Sequence, residues 1–85
     1  MQTTSTTTQQ ALAQAIEVRR VRVGITKREL AERVGLSPTS LSKRLAGTPA
    51  IDANEIETFA LALGLDPFDL MEMAKAERHT EPAAA

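Results

Sequence analysis

Apolar residues recur along the chain at helical spacing, in five blocks separated by short polar or glycine-containing breaks. The first block spans about Gln9 to Val23, with Leu12, Ala15, Ile16 and Val23 on one stripe and Gly24 placed to end it in the left-handed conformation. Thr26, followed three residues later by Glu29, reads as a capping box. Leu30, Ala31 and Val34 then mark the buried stripe of a short second helix that ends before Gly35. Leu36 is an inward-facing loop residue, Ser37 offers a cap to a third helix, and Pro38 takes its first position, where the missing N–H is harmless. Leu41 and Leu45, four apart, anchor that helix.

Residues Ala46 to Ile51 hold too much Gly and Pro for regular structure and form a loop. Asp52 with Glu55 repeats the capping signature, and Ile56, Phe59, Ala60 and Leu63 form the strongest helical stripe in the chain. Gly64 closes this fourth helix, with Leu65 packing back. Asp66 and Pro67 start a fifth, whose apolar surface comes from Phe68, Leu70, Met71 and Ala74 and which frays beyond Ala76. Alternation of apolar and polar residues never persists beyond Val21-Arg22-Val23, so no strand is predicted. The expectation is an all-α domain of five helices over residues 9–77, flanked by tails at 1–8 and 78–85 that lack apolar periodicity.

Composition narrows the chemistry. The 85 residues contain no cysteine and one histidine, His79, which excludes a disulfide framework, a thiolate site and a paired-histidine metal site. A reducing, cytoplasmic setting fits, and no metal or cofactor is expected. No apolar run is long enough to span a bilayer, and the Thr-rich start is not a secretory signal. An enzyme is not expected: no nucleophile with its base and no phosphate-cradling glycine loop can be assembled.

The net charge of −1 hides an asymmetry. Up to Thr48 there are eight cations (Arg19, Arg20, Arg22, Lys27, Arg28, Arg33, Lys43, Arg44) against Glu17, Glu29 and Glu32; beyond it, Lys75 and Arg78 face eight acids. A cationic first half suggests a face that meets a polyanion, against the plainer alternative of a solvated charge pattern that keeps a small domain soluble. Arg19, Arg20 and Arg22 cover too wide an arc of the first helix to touch one partner together, so at least one is expected to pair with an acid.

The second and third helices are joined by a turn of about four residues containing Gly, which forces them to cross steeply. Such a pair needs a small residue where the helices touch, a residue that tolerates positive φ, and apolar residues that hold the pair to the rest. Ala31, Gly35 and the set Leu30, Val34, Leu36 and Leu41 meet these needs. At this point Thr26 to Ser42 resembles the helix-turn-helix of the Cro and phage-repressor type, the XRE family. Leu61-Ala62-Leu63-Gly64-Leu65-Asp66-Pro67-Phe68-Asp69-Leu70 resembles the downstream helix of the same family, so the likeness covers about Leu12 to Met73. It implies a lambda-repressor-like fold and a sequence-specific transcriptional regulator, a Cro-like repressor that occupies a double-stranded DNA operator. Two departures stand out. Lys27 replaces the Gln common in the family, which suggests a direct ionic contact to phosphate; Arg44-Leu45 replaces an apolar residue followed by Glu, which removes the Glu that in the family pairs with an arginine of the first helix, a place held here by Arg20, shifts the apolar anchor to Leu45 and leaves Arg44 free.

By that resemblance the third helix enters the major groove. Pro38, Thr39, Ser40, Ser42, Lys43 and Arg44 are the candidates at base edges, and Lys27, Arg28, Ser37 and Thr48 the candidates at phosphate, with Ser37 first of all a cap. The fifth helix carries more apolar residues than one face buries, which makes Phe68, Met71 and Met73 candidates for a homodimer interface. The alternative is an antitoxin-like or adaptor module whose main partner is a protein, supported by the acidic second half with Met71 and Met73. No small-molecule ligand is expected.

Overall fold

A computed structural model describes residues 7–78 as five α-helices. They are α1 (Thr8–Val23), α2 (Lys27–Val34), α3 (Pro38–Leu45), α4 (Ala53–Ala62) and α5 (Pro67–Arg78). The described residues include no strand. Of the tails expected at 1–8 and 78–85, residues 1–6 and 79–85, with His79, lie outside the described residues.

Capping sets the starts of the helices. The side chains of Thr7, Thr26, Ser37 and Asp52 accept from the N–H three residues on, and at three of these starts the third helical residue bonds back to the cap. The cap of α1 comes earlier than the pattern predicts: Thr7 and Gln10 form a reciprocal box, so Thr7 and Thr8 belong to the fold rather than to the tail. Asp66 serves α5 similarly, accepting from the Phe68 N–H at 2.8 Å. That helix continues past Ala76 to Arg78.

The core is small and wholly apolar: Ala11, Leu12, Ala15 and Ile16 of α1, Leu30 and Ala31 of α2, Leu41 of α3, Phe59, Ala60 and Leu63 around α4, and Leu70 and Ala74 of α5, with Ile51 reaching in from the loop. α1 packs mainly along α5, and α2 with α3 closes over α1 and α4. Val23 departs from the predicted stripe and is 38% exposed. The last turn of α1 runs past the core, and the stripe positions after Ile16 are taken by Arg19 and Arg20, which turn back over neighbouring main chain.

Two of these arginine contacts finish α4, whose last turn carries no cation of its own. Arg33 donates to the Ala62 carbonyl at 3.0 Å and Arg19 to the Leu63 carbonyl at 3.0 Å. Terminal carbonyls lack intrahelical donors and carry partial negative charge, so guanidinium groups from α1 and α2 satisfy both needs. Arg20 braces the α1–α2 turn, pairing with Glu17 at 2.9 Å and donating to the Ile25 carbonyl at 2.7 Å. It is the paired arginine that the arc of Arg19, Arg20 and Arg22 led us to expect.

Candidate nucleic-acid interface

The α2–α3 pair is joined by Gly35-Leu36-Ser37. Gly35 has φ 77°, and its N–H, with that of Leu36, closes back onto the last carbonyls of α2. An L-residue with a side chain meets steric strain at that φ, so glycine permits the sharp reversal. Ala31 is fully buried, while Leu36 and Val34 pack against the core from the turn. The three demands of a steep helix crossing are thus met by the residues that the pattern singled out.

On α3, Leu41 is buried and Leu45 partly so, which turns the opposite side outward. Pro38, Thr39, Ser42 and Lys43 are exposed. At about 100° per residue, Thr39, Ser42 and Lys43 fall within an arc of about 100°, one continuous polar face. Ser40 and Arg44 stand on the flank of that face and are half-buried. Ser37 caps α3, its Oγ accepting from the Ser40 N–H at 3.0 Å. Lys27 and Arg28 are exposed on the first turn of α2, and Thr48 is exposed in the loop after α3.

Arg44 is not free. Its guanidinium meets the Glu55 carboxylate of α4 at 2.7 Å through Nη2, and its Nε donates to both carboxylate oxygens at 3.1 and 2.9 Å. The bidentate contact, made 11 residues away, holds Arg44 on α4 and speaks against its place in the base-reading set. Glu55 also accepts from the Asp52 N–H at 3.2 Å, so one carboxylate both caps α4 and holds the end of α3. These bonds, chiefly those from Arg44, hold the Glu55 carboxyl below its ordinary pKa of 4.5, and the Arg44 guanidinium is raised in turn by Glu55.

Of the eight cations in the first half, Arg19, Arg20, Arg33 and Arg44 are engaged within the fold. Arg22, Lys27, Arg28 and Lys43 have no ion-pair partner among the described residues. Three of those four lie on the α2–α3 pair. The charge asymmetry of the sequence therefore resolves into a structural share and a share that faces outward from two helices. No group of three or more metal-ligating side chains is assembled among the described residues, and no helix there is long and apolar enough to cross a membrane.

The sequence profile of the helix-turn-helix family matches residues 16–70, from the middle of α1 into the first turn of α5. The chain belongs to the helix-turn-helix family. It is of the Cro and phage-repressor (XRE) type, and so a DNA-binding transcriptional regulator. Two crystal structures of the clp gene regulator ClgR from Corynebacterium glutamicum are similar to this helix-turn-helix protein. In one the TM-score is 0.85 at 28% identity, covering 94% of this chain and 85% of that one. In the other it is 0.82 at 27% identity, covering 91% and 99%. No curated protein matches by sequence.

The candidate dimer residues separate in the helix-turn-helix fold. Phe68 is 78% exposed and Met71 39%, and both line a shallow groove with Ala53, Ile56, Glu57 and Pro67 between α4 and α5. Met73 instead packs against the core, next to the buried Leu70 and Ala74. Two elements of the site escaped the sequence reading. Glu55 was visible only as a cap, although it is the acid that follows Arg44 most closely after Asp52. Gln9, which contacts the loop at Ile51 42 positions away, left no signal, because its partners are main-chain groups.

Proposed function

We propose that this protein is a sequence-specific regulator that acts by occupying a DNA operator, in the manner of a Cro-like repressor. The observation that carries the reading is the polar face of α3, with Thr39, Ser42 and Lys43 exposed beside Lys27 and Arg28, which have no ion-pair partner among the described residues. Lys43 donates to guanine O6 and N7, while Thr39 bonds a base edge or presses its methyl on thymine. Pro38 and Ser42 pack beside them. Lys27, Arg28, Ser37 and Thr48 contact phosphate and set the register. The likeness to ClgR, a regulator of clp genes, supports a role in gene regulation.

A homodimer built on Phe68 and Met71 places two copies of α3 one duplex turn apart, about 34 Å, on an inverted repeat. The exposure of Phe68 also suits the second reading, an adaptor whose main partner is another protein. Selection of bound duplexes from a randomised pool at moderate salt, with light scattering of each complex, separates the two. An enriched inverted repeat carrying two chains is the expected result. Absence of any enriched sequence, with binding lost by about 200 mM salt, leaves only general attraction to phosphate and favours the adaptor.

A further inference from the structure

The loop of residues 46–51 between α3 and α4 is held at three places. At its start, the N–H groups of Ala46 and Thr48 both close onto the Lys43 carbonyl, and that of Gly47 onto Arg44. At its end, Arg44 and the Asp52 cap share the Glu55 carboxylate. The third restraint comes from outside. Gln9, on the first turn of α1, accepts from the Ile51 N–H at 2.8 Å and donates to the Ile51 carbonyl at 3.1 Å. One carboxamide satisfies both main-chain groups of a single residue whose side chain is buried in the core.

The chemistry is selective. At neutral pH an amide presents a donor and an acceptor side by side at the end of an uncharged chain, and Asn is one methylene shorter. An ionised carboxylate accepts but cannot donate, and alanine offers neither. Between these restraints Gly47, Thr48, Pro49 and Ala50 are exposed. This stretch follows directly on the end of α3.

We infer that Gln9 is a positioning residue for DNA reading: its grip on Ile51 fixes where the loop and the C-terminal end of α3 stand against the duplex. The inference rests on the proposal that α3 reads bases. Without the grip, Ile51 turns to water for its bonds, the loop and Thr48 lose their fixed place, and Lys43 meets the groove at a less constant angle. Recognition of the preferred site falls more than attraction to any duplex, because the free cations are untouched.

The test compares wild type, Gln9→Ala and Gln9→Glu on a selected operator and on a scrambled duplex at pH 7.5, with amide hydrogen exchange of the free proteins. For Gln9→Ala, the ratio of operator to scrambled affinity falls on the order of tenfold, the size of one weakened base contact. The Ile51 amide exchanges faster while the Phe59 amide does not. Gln9→Glu, ionised at pH 7.5, still accepts from the Ile51 N–H but cannot donate to its carbonyl, so its ratio falls as well, by less than that of Gln9→Ala. That loss reads out even if Gln9→Ala is too unstable to assay. Equal weakening on both duplexes, unchanged selectivity despite faster Ile51 exchange, or a Gln9→Glu ratio equal to that of wild type overturns the inference while leaving the DNA reading in place. A wild-type chain that prefers no sequence overturns both.

Discussion

Single residues on the α2–α3 pair divide by the kind of contact they are placed to make. Lys43, on the outward arc of α3, is expected to discriminate bases, so Lys43→Ala should lower operator affinity by about 1 to 3 kcal/mol and relax preference at particular base pairs. Lys27 is expected to bind phosphate. Lys27→Ala should weaken all duplexes almost equally and flatten the plot of log affinity against log salt by about one unit, and an unchanged slope would remove it from that role. Arg44 and Glu55 serve the fold instead. Because Arg44 depresses the Glu55 pKa, the stabilisation from this pair is fully present above the ordinary carboxylate pKa and is lost as pH falls through the depressed value. The difference in urea midpoint between wild type and Glu55→Gln should accordingly be largest near neutral pH and shrink as pH drops below about 4. A difference that is constant from pH 7 to pH 3 would deny the pair its role.

At the scale of helices and turns, the α2–α3 turn is the most exacting feature. A Cβ at Gly35 meets nothing within 4 Å, so a substitution there is penalised by backbone conformation alone, at φ 77°. Gly35→Ala should cost about 1 to 2 kcal/mol of unfolding free energy, Gly35→Val more, and Gly35→Asn less, since Asn visits the left-handed region more readily. Thermal unfolding of the three variants gives the order, and a Val variant as stable as wild type would place the strain elsewhere. The five helices, and every N-terminal cap but that of Thr7 on α1, were legible in the sequence because capping boxes, proline at a first position and apolar spacing are local signals, as at Thr26, Pro38 and Phe59. Contacts between distant main chain and side chain were not. Nothing near Arg19 or Arg33 announces the α4 carbonyls as their targets, and the base-reading set lost Arg44 because a cation looks the same in sequence whether solvated or paired. The Val23 expectation failed for a related reason: periodicity marks a helical face but not where the core beneath it ends.

For the molecule as a whole, the exposed groove at Phe68 and Met71 is where association is expected. Phe68→Glu leaves the buried set intact, because the ring is 78% exposed, and should shift sedimentation toward monomer with little loss of thermal stability. Loss of cooperative binding to an inverted repeat should accompany it, and a Phe68→Glu protein that still sediments as a dimer would move the interface off this groove. The arginines held by ion pairs, Arg20 and Arg44, also bear on how a regulator finds its site. With Arg20 and Arg44 neutralised by Glu17 and Glu55, and an acidic α4–α5 side that duplex DNA repels, off-target encounters are expected to be brief and weakly held. Long stretches of unrelated duplex then compete poorly for the protein, and its distribution among sites follows base recognition more than the sheer amount of DNA.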